Sequence, residues 1–99
     1  MNNIASTTDG VNFTRVPLNG HYEGFDRNET LHSYLRKSFD ENTEVKVVYS
    51  VPLGSGVSTT RGVVEFISEK KRQVVIKINN EELSPKISFK DVTGLFIKN

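Results

Sequence analysis

The spacing of the apolar residues changes once along this chain, near Thr43, from a helical repeat to strict alternation. That change limits the folds open to it. Before it, Leu31, Tyr34, Leu35 and Phe39 recur at i, i+3, i+4 and i+8, which puts all four on one helical face. After it, Val45, Val47, Tyr49 and Val51 alternate with Glu44, Lys46, Val48 and Ser50, the signature of a strand with one buried face. A helix therefore runs almost directly into a sheet, and the two must share a core.

The helix carries end signals. Asp26 precedes Glu29 by three positions, the spacing of a capping box, and Asn28 is a competing N-cap. Glu29 lies in the first turn and Arg36 and Lys37 in later ones, each where the helix dipole favours its charge. Asn42 tolerates the left-handed conformation that ends a helix. The spacing predicts a helix over about 28–41, too short to persist alone, so its stripe must dock on the strands that follow.

Beyond the first strand, Pro52 to Gly56 read as a loop. Val57 to Ile67 form a longer β segment, with Gly62 marking a bulge or bend. Ser68 to Lys71 make a polar hairpin tip, and Arg72 to Ile78 a third strand with Val74, Ile76 and Ile78 on one face. Asn79 to Glu82 read as the next turn. Leu83 to Lys90 form a fourth strand, which Pro85 assigns to an edge or a strand start because proline cannot donate a ladder hydrogen bond. Asp91 to Gly94 read as a tight helical turn, and Leu95 to Ile97 as a last short strand. Closure would remove the exposed edges of strands this short. The pattern predicts a mainly β (α+β) fold: a small five-stranded SH3-like or Sm-like antiparallel barrel, preceded by one amphipathic helix and an irregular N-terminal arm.

The arm is residues 1–27, and the helix and barrel are residues 28–99. Residues 1–10 read as a mobile tail. Residues 11–25 read as extended chain on the domain, with a short strand where Val11 and Phe13 alternate with Asn12 and Thr14.

The segment from Leu31 to Ile97, about two-thirds of the 99 residues, resembles the YolD-like family of small bacterial proteins. The resemblance is carried by the helix leading into Val45-Lys46-Val47-Val48-Tyr49 and by Gly62-Val63-Val64-Glu65-Phe66-Ile67. Lys70-Lys71-Arg72-Gln73-Val74-Val75-Ile76 and Ile87-Ser88-Phe89-Lys90-Asp91-Val92 complete it. Families of this kind are often found beside error-prone DNA polymerase genes or on mobile elements, so the resemblance implies an accessory role in the DNA-damage response.

Chemistry is scarce in the sequence. There is no cysteine, which excludes disulfides, thiolate zinc sites and cysteine nucleophiles. His21 and His32 are too few for a histidine-rich metal site, and no acidic cluster has ligand spacing. His32 and Ser33 are helix neighbours that point apart, so they form no nucleophile–base pair. Asp40-Glu41 and Glu81-Glu82 read as solvated pairs, and Gly54-Ser55-Gly56 lacks the lysine and the helix start of a phosphate loop. No catalytic residue, metal or cofactor is expected. The first residues lack the basic flank and apolar run of a signal peptide, and the longest apolar runs are three residues, so a cytoplasmic protein is expected.

Charge is the remaining signal. The net charge is +1, a small excess for a nucleic-acid binder. Residues 43–99 hold nine Lys or Arg against six Asp or Glu, giving +3, whereas the rest of the chain carries −2. Lys70, Lys71 and Arg72 form the only basic run, at a hairpin tip where they can project; with Arg61 and Lys86 they are the candidate nucleic-acid-binding residues. Tyr49 lies on an apolar strand face, which favours a core role over base stacking. The expected function is a non-enzymatic binding module contacting nucleic acid or a nucleic-acid enzyme. The alternative is a protein-interaction or homo-oligomerisation module using the helix or a strand edge.

Overall fold

The computed structural model describes residues 4–6, 12–18, 26–51, 56–78 and 84–99. Seven strands and one helix follow in chain order: β1 (Ile4–Ser6), β2 (Asn12–Arg15), α1 (Arg27–Glu41), β3 (Glu44–Ser50), β4 (Val57–Ser68), β5 (Gln73–Lys77), β6 (Lys86–Ser88) and β7 (Val92–Lys98). A 3-10 turn, Phe89–Asp91, joins β6 to β7. The fold is mainly β, with all pairings antiparallel in one sheet of order β1-β2-β7-β3-β4-β5-β6.

The helix begins and ends where its end signals place it. Asp26 is the N-cap, its carboxylate accepting from the Asn28 and Glu29 backbone N–H groups at 2.9 and 3.1 Å. At the other end Asn42 adopts φ 52° and ψ 43°, and the Thr43 N–H reaches back to the Ser38 carbonyl at 2.9 Å. The buried stripe differs from the predicted one. Leu31, Leu35 and Ser38 are buried, while Tyr34 and Phe39 are 41% and 39% exposed. At about 100° per residue the three buried positions lie within about 60° of one another, and Tyr34 and Phe39 fall roughly 40° outside on either side. Two large rings thus flank a narrow seam made by two leucines and a serine.

β4 explains how a short meander curves. It pairs with β3 over Val57–Val63 and with β5 over Val63–Ser68, so its two halves belong to different ladders that meet at Val63. Gly62 sits at this handover. A Cβ there would run into the Lys77 carbonyl oxygen, so the backbone of β5 approaches where only glycine leaves room. The bulge comes later, between Val64 and Phe66. The core lies between the concave face and α1, and contains Leu31, Leu35, Val45, Val47, Val64, Ile67, Val74, Ile76, Ile87, Phe89, Val92 and Leu95.

The structure corrects the predicted closure. Among the described residues no ladder joins the two ends of the sheet, and β1 and β6 are its edges. The physical reason is the N-terminal segment. β2 pairs with the free side of β7, Phe13 opposite Lys98 and Arg15 opposite Phe96, and thereby occupies the edge that closure would need. Ile4–Ser6, within the segment read as a tail, forms β1 against β2. Val16 and Leu18 continue from β2 into the core. The helical turn expected at Asp91 to Gly94 lies earlier, at Phe89–Asp91, because Val92 is fully buried opposite Tyr49 and belongs to β7. Pro85 directly precedes edge strand β6, and its carbonyl accepts from the Ile76 N–H at 3.1 Å. The predicted turn at Asn79 to Glu82 and most of the loop from Pro52 lie outside the described residues.

Candidate nucleic-acid interface

The turn from β4 to β5 spans Glu69 to Arg72 and is held from both sides. The Lys71 N–H donates to the Ser68 hydroxyl at 3.1 Å. Arg72 takes a left-handed φ of 53°, which costs a side-chain-bearing residue about 1–2 kcal/mol. The conformation is matched by a bond across the structure: the Phe89 N–H donates to the Arg72 carbonyl at 2.8 Å. The Phe89 carbonyl in turn accepts from Arg27 Nη1 at 3.0 Å. The backbone of one buried aromatic residue therefore ties the basic tip to the 3-10 turn and to the start of α1.

Two clefts open around this junction. One, of about 670 Å³, lies between the helix start and the tip and is lined by Asp26, Asn28, Glu29, His32, Glu69, Lys70, Arg72 and Phe89. Its charges divide, acidic mainly on the helix side and basic on the tip. His32 Nε2 is 3.9 Å from Glu69 Oε2, a carboxylate 84% exposed to water. The second cleft, of about 420 Å³, is lined by Asn28, Lys71, Arg72, Ser88, Phe89 and Lys90. Among the described residues its lining holds three cations and two residues with hydrogen-bonding side chains, and no carboxylate. Such a lining suits a phosphate group, which accepts charge-assisted bonds from Arg and Lys and neutral bonds from amide and hydroxyl donors.

The five candidate residues thus separate. Lys70, Lys71 and Arg72 stand together and exposed at the tip. Lys86 is exposed at the start of edge strand β6, opposite Val75, and lines neither cleft. Arg61 lies in the other half of β4, its Nε donating to Glu44 Oε1 at 2.9 Å. Lys90 was missed. Strict alternation through Ile87 and Phe89 puts Lys90 on the solvent side of a strand, and only the 3-10 turn brings it beside Arg72. Tyr49 packs against the core and shares a hydrogen bond with the Thr60 hydroxyl at 3.1 Å.

No three or more His, Asp or Glu side chains among the described residues are grouped to hold a metal ion. No described helix is long and apolar enough to cross a membrane. Comparison with protein-family models, with curated proteins and with solved structures gave no match.

Proposed function

We propose that the protein is a non-enzymatic accessory module that binds nucleic acid through the cleft between the β4–β5 turn and the 3-10 turn. The observation that carries this reading is the cleft lining: Lys71, Arg72 and Lys90 beside Asn28 and Ser88, with no carboxylate among the described residues. The backbone bonds at Phe89 hold these cations on a fixed frame, which lowers the entropy lost on binding. The order β7-β3-β4-β5-β6, with a helix before it and a 3-10 turn before its last strand, supports reading this part as an SH3-like or Sm-like barrel opened at one side. The resemblance of residues 31–97 to YolD-like proteins supports a role in bacterial or mobile-element DNA metabolism or the damage response.

Binding is tested by fluorescence anisotropy with labelled DNA and RNA. Reversing Lys71 and Lys90 to Glu should lower affinity at least about tenfold and flatten the slope of log affinity against log salt by about two contacts. No binding by the unaltered protein at about 50 mM salt would remove the reading.

Tyr34 and Phe39 favour a second reading, a protein-interaction or homo-oligomer module, because both rings are partly exposed on one helix. Light scattering across a concentration series separates the homomeric form of this alternative from a monomer.

A further inference from the structure

The convex face of the sheet carries a second cationic surface at the other end of β4. Pairing places Arg15, Phe96, Lys46 and Arg61 in one row across β2, β7, β3 and β4. In the adjoining row Lys98 stands opposite Phe13, and Glu44 and Lys77 stand opposite Val63. Five cations therefore share these rows with one carboxylate, Glu44, which Arg61 engages at 2.9 Å. Arg61 and Ser68 are seven residues apart on β4, so this surface is roughly 23 Å along the strand from the basic tip.

Two of these cations, Lys46 and Arg61, are held in place. Lys46 Nζ lies 4.5 Å from the centre of the Phe96 ring and 5.6 Å from that of Phe13. Arg61 Cζ lies 5.2 Å from the centre of the Phe13 ring. Phe13 is fully buried, although alternation puts it on the face away from the core. The two aromatic rings thus fix Lys46 and Arg61 by cation–π attraction, and Phe96 remains partly exposed beside them.

We infer that this sheet face binds single-stranded nucleic acid, with Arg15, Lys46, Lys77 and Lys98 on phosphates and Phe96 against an unpaired base. Charge complementarity names a polyanion as the occupant. The exposed part of an aromatic ring within the cationic row favours a strand whose base faces are free, and duplex bases have theirs stacked. The row crosses four strands, about 14 Å of sheet at the usual spacing, enough for a short run of nucleotides. The inference shares only its ligand class with the proposed function, and its residues do not overlap the tip.

The test uses the full chain and labelled oligothymidine, with a duplex of equal length beside it, in anisotropy titrations at low and high salt. Arg15 and Lys77 are away from the core, so the double variant R15E/K77E should fold, as checked by its thermal transition. It is expected to lose at least about tenfold in affinity for the single strand, while K37E, a charge reversal at an exposed helix position outside both surfaces, keeps that binding; K71E/K90E is titrated beside them on both oligonucleotides. Amide shifts of the unaltered protein on adding oligothymidine provide a readout without mutation, and are expected at Arg15, Lys46, Arg61, Lys77 and Phe96. If binding is lost only in K71E/K90E and the shifts cluster at Lys71, Arg72 and Lys90, the sheet-face inference is overturned and the tip reading stands. If K71E/K90E binds both the single strand and the duplex as tightly as the unaltered protein does, the tip reading falls instead. No binding to either oligonucleotide at low salt overturns both.

Discussion

Arg72 shows how a candidate binding residue and local strain can coincide. Its φ of 53° is a conformation that glycine adopts freely and other residues at a cost. Arg72→Gly is therefore expected to raise stability by about 1 kcal/mol while weakening nucleic-acid affinity, since the guanidinium leaves the cleft. Chemical denaturation and anisotropy on the same sample check the two opposite signs; a fall in stability would mean the strain is absent. Gly62 is the reverse case, a position where no side chain fits. Gly62→Ala should cost about 3 kcal/mol through the Lys77 carbonyl, measured as a lower urea midpoint with an unchanged slope. The sequence signalled Gly62 because glycine inside a strand is unusual. It gave no signal for Arg72, because nothing local distinguishes an arginine with positive φ from one that begins a strand.

At the level of elements, α1, β3 and β4 were legible because each has a long periodic pattern and a defined end. Asp26 and Asn42 act through their immediate neighbours, so the helix ends could be read from a few residues. Asp26→Ala should lower stability by about 1 kcal/mol by leaving two first-turn N–H groups without their carboxylate. The details that failed depend on contacts distant in sequence. Burial of Val92 opposite Tyr49 moved the 3-10 turn back to Phe89. That shift brought Lys90 to the tip, which is why alternation alone could not include it in the site. Tyr34 and Phe39 were assigned to the core by their type and spacing, yet the seam admits only Leu31, Leu35 and Ser38. Leu35→Ala is expected to cost about 3 kcal/mol by opening a cavity under the helix, whereas Tyr34→Ser should change the denaturation midpoint little. A similar loss from both would show that the ring is part of the packed seam.

The whole-molecule feature that the sequence concealed is the N-terminal segment's place in the sheet. The alternation of Val11 and Phe13 with Asn12 and Thr14 predicts a short strand, but so brief a pattern does not say which strand it pairs with. What fixes that segment is β7, more than 75 residues later in the chain, which offers an open backbone edge to β2. The pairing has two consequences. It buries Phe13, Val16 and Leu18, each worth about 1.5–3 kcal/mol against exposure, and it covers an edge that would otherwise be free to pair with another chain. A chain lacking residues 1–18 should therefore unfold at a clearly lower denaturant concentration, the loss being a large part of the 5–15 kcal/mol typical of a domain. It should also associate as concentration rises, through the uncovered side of β7. Denaturation midpoints and light scattering on the truncated and full chains measure the two effects separately. Unchanged stability would mean that the buried aromatic and aliphatic side chains of the arm contribute little. A truncated chain that is destabilised but strictly monomeric would show instead that β7 is protected by something other than β2. Lys46 reports on the same loss from the opposite face of the sheet. With Phe13 gone it keeps only the Phe96 ring, so the truncated chain should also bind single strands less tightly than the full chain if the convex face is the site.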